Sequence, residues 1–172
     1  LSFEIEDIQT ALNAGADKIA INTRAVQNPN FIKEASVVFG SQCIVLSIDA
    51  KKIASNKWEV YIDNGREPTG KDVIEWAKEG QLLGAGEVML TSIDKEGTKK
   101  GFDIELNKKV SDALTIPLIS SGGAGRNKDV TDVILNSNID AVSIASLFHY
   151  NIESVDSLKH YLIDNEQIQI RL

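Results

Sequence analysis

Five short apolar runs alternate with longer amphipathic stretches along the whole chain, and no other feature restricts the possible folds as much. The runs are Lys18–Thr23, Cys43–Asp49, Glu87–Asp94, Pro117–Ser121 and Ala141–Phe148. Each is nearly continuous in apolar residues and rich in Ile and Val, the pattern of a strand buried on both faces. Between them lie segments with helical apolar spacing: Glu4–Ala14, Pro29–Phe39, Lys71–Leu83, Ile104–Leu114, Lys128–Asn136 and Val155–Asp164. A short extra hairpin, with Trp58–Ile62 as one arm and a turn near Asn64-Gly65, interrupts the order after the second run. Alternating strands and helices with buried strands mean a parallel sheet, either doubly wound or closed as a barrel.

Two features favour the barrel. The runs end in small or polar residues (Asn22-Thr23, Asp49, Ser92 to Asp94, Ser120-Ser121, Ala145-Ser146), which suits a ring of functional groups at one face. The chain also repeats itself, since Leu12–Thr23 reads LNAGADKIAINT and Leu135–Ser146 reads LNSNIDAVSIAS. A barrel of duplicated halves places two such units across its axis. A closed barrel needs eight strands in about 250 residues, so five strands leave about three expected before Leu1. The absence of an initiating methionine, with Met89 the only Met of 172 residues, agrees with that expectation. The fold class is therefore α/β: a (β/α)8 TIM barrel represented by its C-terminal five strands and their helices. Residues 1–172 are read as a single domain, about two-thirds of such a barrel.

The net charge of -7 argues against nucleic acid or an anionic membrane surface as a partner. It leaves anionic small molecules open, because backbone N–H groups hold phosphates without a basic surface. No leader and no membrane-length apolar stretch is visible, which makes the cytoplasm the expected location. The single cysteine, Cys43, lies in an apolar run and is expected in the core.

The chemistry-bearing residues cluster where the runs end. Ser121-Gly122-Gly123-Ala124-Gly125 follows a strand and precedes a helix, so its N–H groups can converge on an anion. Ala145-Ser146 supplies a second wall, and barrels often hold phosphate between their last two βα loops. Asn22-Thr23, the related position in the repeat, is the candidate for a second phosphate site across the barrel. Asp49 ends one buried run and Asp94 another, each placed for general acid–base work or, alternatively, for a helix cap or a salt bridge. Glu96, Gly97 and Thr98 form a loop in which the Gly97 amide can meet a phosphate. His149 and His160 suit structural or surface roles, and no spacing suggests a metal site or a nucleophilic triad. Trp58 and Trp76 are expected to pack, and Lys99-Lys100 and Lys108-Lys109 to be solvated.

The strings GADKIAINT, FGSQCIVLSIDAKK, GREPTG, GAGEVMLTSIDKEGTKKGFD, IPLISSGGAG and ASLFHYN, in this order, resemble the cyclase subunit of imidazole glycerol phosphate synthase. That subunit is a lyase of histidine biosynthesis, and the resemblance covers essentially the whole chain. It implies a (β/α)8 barrel of duplicated halves that pairs with a glutaminase subunit as a heterodimer. Ammonia from the partner is added to a bisphosphorylated ribulosyl aminoimidazole carboxamide nucleotide. The products are imidazole glycerol phosphate and an aminoimidazole carboxamide ribonucleotide, and no metal or other cofactor is used. Asp49 matches one of two catalytic aspartates, the other lying on a first strand that this chain does not show. Asn22 and Thr23 match one phosphate site, and Gly97, Gly122, Gly123, Ala145 and Ser146 the other. Asp94, Glu96 and Ser121 are expected elsewhere in the substrate site. Lys18 and Glu87 match charged residues at the opposite mouth, where ammonia enters, and Asp17 matches a contact with the glutaminase.

The chain departs from the family in one loop, where Asp94-Lys95-Glu96-Gly97 replaces the usual Asp-Arg-Asp-Gly and lengthens one carboxylate by a methylene. A paralogous group amidates sugars for surface polysaccharides on a similar barrel, and a non-catalytic phosphosugar-binding subunit is a further alternative. A chain beginning at Leu1 is expected to be inactive alone and to expose two unpaired sheet edges.

Overall fold

The computed structural model describes residues 4–164 and 168–170. In chain order the elements are α1 (Ile5–Asn13), β1 (Ile19–Ile21), α2 (Thr23–Gln27), α3 (Asn30–Phe39), β2 (Ile44–Ala54), β3 (Lys57–Ile62), β4 (Glu67–Asp72) and α4 (Val73–Leu83). They continue with β5 (Glu87–Ser92), α5 (Ile104–Ala113), β6 (Leu118–Ser121), α6 (Asn127–Asn136), β7 (Ala141–Ser143), α7 (Ser146–His149) and α8 (Val155–Asp164). The five runs are strands β1, β2, β5, β6 and β7, and every pairing among them is parallel. Their spatial order β1-β2-β5-β6-β7 follows chain order with no reversal.

Burial separates the barrel from the doubly wound alternative. Along β5, Val88, Leu90 and Ser92 are buried while Glu87, Met89 and Thr91 are half-buried. On β2, Ile44, Leu46, Ile48 and Ala50 are buried, and Ser47 and Asp49 are only half so. A strand's alternate residues point to opposite faces, so helices cover one face of this sheet and leave the other open. Chain-order strands with one covered face are the arrangement of a (β/α) barrel wall rather than of a sheet sandwiched between helix layers.

The core lies between the sheet and its helices, with Phe31, Ile32, Leu46, Ile48, Trp76, Leu90 and Leu106 all but fully buried. A smaller cluster of Val130, Val133, Leu147, Leu158 and Leu162 packs around β7 and α8. Cys43 packs at the rim of the main cluster and is half-buried, short of the core position expected for it.

The extra hairpin is larger than its sequence suggests. β2 runs on past Asp49, and its far half pairs antiparallel with β3, which pairs antiparallel with β4. The result is a three-stranded meander on the same edge of β2 that β1 uses lower down. β4 is its outer strand and tolerates Pro68 because an edge strand needs no N–H there. Trp58 of β3 is fully buried and donates its Nε1–H to Asp103 Oδ2 at 3.0 Å, while Asp103 Oδ1 accepts from Leu106 N at 3.1 Å and caps α5. One carboxylate thus ties the meander to the helix after β5.

The last apolar run needs correction. β7 ends at Ser143, and Leu147-Phe148 belong to the short helix α7. Leu147 is buried in the second cluster, so the run is apolar for helix packing, not because a strand continues. Among the described residues no helix is long and apolar enough to cross a membrane.

Candidate functional site

The strand registers assemble the site. Asp49 pairs with Thr91, Thr91 with Ser121, and Ser121 with Ser143. Residues paired in a parallel sheet share a face, so these four form one polar row across four strands, near the carboxyl end of each strand's parallel section and on the side away from the helices. The row below it, Ser47, Met89, Ile119 and Ala141, is mostly apolar.

Asp49 is half-buried, and its Oδ2 accepts a hydrogen bond from Asn22 Nδ2 at 3.0 Å. Burial pushes its carboxyl above the ordinary aspartate range, opposed by the Asn22 bond that favours the ionised form. A raised carboxyl exchanges its proton nearer neutral pH than a solvated one does, which suits an acid–base group. The Oδ1 of Asn22 is buried without a partner among the described residues, leaving one acceptor facing the same region. Thr23 begins α2, and its Oγ1 accepts from Asp63 N at 3.1 Å, so the tip of the β3–β4 turn rests against it.

Across the row, the glycine loop and the end of β7 enclose a cavity of about 50 Å³ lined by Ser121 to Ala124, Ser143 to Ser146 and Glu96. Among the described residues no acceptor takes the backbone N–H groups of Gly122 and Gly123, which stay available to a ligand. These two glycines are demanded by the backbone: φ is +94° and +112°, and a Cβ on Gly123 stands 2.3 Å from the Gly101 carbonyl oxygen. Gly101 N in turn donates to Gly123 O at 2.8 Å, and Asp129 Oδ2 accepts from Gly125 N at 3.0 Å and Arg126 N at 2.9 Å. The cup is therefore held from both sides before any ligand arrives.

The cup gathers Gly122, Gly123, Ala145 and Ser146, four of the residues matched to one phosphate site, together with Glu96 and Ser121, which were expected elsewhere in the substrate site. Gly97 is exposed beside Glu96 and does not line the cavity. Asp94 is exposed, and its Oδ2 accepts from Lys52 N at 2.7 Å, so it fastens the loop after β5 to the meander and stands outside the cup. At the opposite ends of the strands, Lys18 and Glu87 form an ion pair just before β1 and at the first residue of β5, with Asp17 exposed alongside. His149 and His160 are exposed, while Trp58 and Trp76 are packed in the core.

Sequence reasoning passed over Thr91, Ser143 and Asp63. The first two were within reach: Ser121 beside the glycine loop sets which residues of its strand face inward, and the same parity carries across the sheet. Asp63 had no such signal, because its place depends on how the meander folds over the sheet.

A single-wound parallel sheet, helices on one face, and a polar row leading from Asp49 to an amide-lined cup define a (β/α)-barrel protein with its candidate site at the carboxyl ends of the parallel strands. The histidine biosynthesis protein family matches residues 3–153, and the chain belongs to that family of barrel enzymes, whose members are isomerases or cyclases.

Proposed function

We propose that this chain is the cyclase subunit of imidazole glycerol phosphate synthase. In this reading the cup of Gly122, Gly123, Ala145 and Ser146, with Gly97 closing over it, holds one phosphate of the bisphosphorylated nucleotide. Asn22 and Thr23 hold the other, and Ser121, Asp94 and Glu96 border the substrate between or beside them. Asp49 acts as acid or base during ammonia addition and ring closure. Its hydrogen bond from Asn22 fixes the carboxylate's direction, and its raised proton affinity lets it both take and return a proton.

The observation that carries the cyclase reading over an isomerase is the Lys18–Glu87 ion pair at the strand ends opposite Asp49. An isomerase needs only the substrate mouth. A cyclase fed with ammonia needs a second one, and a charged pair at that end suits an entrance for a small polar molecule. Asp17 beside the pair would contact the glutaminase subunit that supplies the ammonia. The reaction moves protons, ammonia and carbon–nitrogen bonds, which the side chains named here can serve without a cofactor.

The test is ammonia-dependent turnover of the bisphosphate nucleotide by the full-length encoded protein, with released imidazole glycerol phosphate quantified. Stoichiometric release of both products is expected. A folded protein that binds the nucleotide without turnover contradicts the proposal and favours a sugar-amidating or purely binding role.

A further inference from the structure

We propose that Ser143 is a ligand-binding residue of the cup, its hydroxyl donating, beside that of Ser121, to the phosphate oxygen that faces the sheet. The proposal rests on the reading of the cup as a phosphate site. Ser143 is the last residue of β7 and pairs in register with Ser121, the last of β6. Paired residues of neighbouring strands point the same way and stand about 4.8 Å apart, so the two side chains lie side by side on the uncovered face. Both line the cavity and both are half-buried. Among the described residues neither hydroxyl has a hydrogen-bond partner. A half-buried hydroxyl at a cavity wall has lost part of its water, and a ligand acceptor restores the missing bond.

The geometry of a phosphate monoester gives the pair a task. The Gly122 and Gly123 amides and the Ala145-Ser146 segment form two walls of the cup. A tetrahedral group seated between them turns its remaining oxygen toward the third wall, which Ser121 and Ser143 form together. That wall continues the row through Thr91 to Asp49. Ser143 would then fix the rotation of the phosphate, and with it the direction in which the ester arm leaves toward the reacting end.

The experiment titrates the full-length encoded protein and its Ser143→Thr, Ser143→Val and Ser143→Ala variants with inorganic phosphate. The Gly122 and Gly123 amide resonances are followed by NMR, so that the cup is read separately from Asn22 and Thr23. Thr and Val have nearly the same shape and differ by the hydroxyl. Ser143→Thr is expected to bind within about threefold of the parent, while Ser143→Val and Ser143→Ala lose about tenfold or more, the worth of one charge-assisted hydrogen bond. Equal affinity of the Thr and Val variants, with the parent binding normally, overturns the role of Ser143 and leaves the cup intact. A parent whose Gly122 and Gly123 resonances ignore phosphate overturns the phosphate reading and this proposal together.

Discussion

Asp49 carries a conflict that can be measured without any substrate. Its carboxyl is raised by burial, so between the unfolded and folded proton affinities the native state binds more protons than the unfolded one. Stability contributed by this residue is therefore greatest at low pH and falls as pH rises through the raised folded value. Asp49→Asn removes the ionisation and can still accept the Asn22 hydrogen bond. The variant is expected to melt above the parent near neutral pH, with the gap closing as pH falls through the raised folded value and gone by about 4, the ordinary aspartate range. Thermal melts by circular dichroism across that range check the sign, and a gap that widens toward acid contradicts it.

The glycine positions make a second residue-scale comparison. A Cβ on Gly123 runs into the Gly101 carbonyl, whereas one on Gly97, at φ +71°, meets open space. Gly97→Ala is expected to cost about 1 kcal/mol for the left-handed backbone alone. Gly123→Ala should cost at least about 2 kcal/mol and disturb the cup. Urea unfolding of both variants tests the order, which reverses only if the loop yields easily.

At the scale of elements, legibility followed the physics of each segment. The long helices have an apolar stripe that only a 3.6-residue period satisfies, and Val155–Asp164 is where periodicity alone places it. β7 was overread because Leu147 and Phe148 extend an apolar run that strand and short helix can equally claim. α2 and α7, five and four residues long, have no stripe to announce them. Yet the repeated strings foreshadow both, since one helix starts at Thr23 and the other at Ser146, the last residues of the two matching segments. β4, with the sequence EPTGKD, carries no strand preference, and pairing to β3 alone makes it one.

The meander offers its own test through two tryptophans. Trp58 Nε1 is bonded to the buried Asp103, while Trp76 Nε1 is buried with no partner among the described residues. Trp58→Phe leaves a carboxylate oxygen undonated and should cost about 1–3 kcal/mol beyond the volume lost. Trp76→Phe breaks no hydrogen bond, because its indole N–H has no partner among the described residues. Urea unfolding is expected to rank Trp58→Phe as clearly the more destabilised, and equal losses would show that the Asp103 bond adds nothing.

For the whole molecule, the proposed cyclase would have chemistry at one end of the strands and ammonia supply at the other. The strand order made that division readable, because Lys18 immediately precedes β1, Glu87 begins β5, and Asp49 lies toward the far end of its parallel section. The pairing of Lys18 with Glu87 could not be read, since the two are 69 residues apart and meet only once the sheet forms. In the proposed complex, Lys18→Ala should depress glutamine-dependent turnover several-fold more than turnover fed by free ammonia. Equal losses by the two routes would place the pair outside the supply path.

In the proposed cyclase, Asp49 works at the reacting end. The most direct test of that role is ammonia-dependent turnover of the full-length Asp49→Asn protein beside the parent, with nucleotide binding measured in parallel. A loss of about a hundredfold or more in kcat, with binding retained, is the predicted result for a group that moves a proton in the reaction. Turnover within a few-fold of the parent would contradict that role.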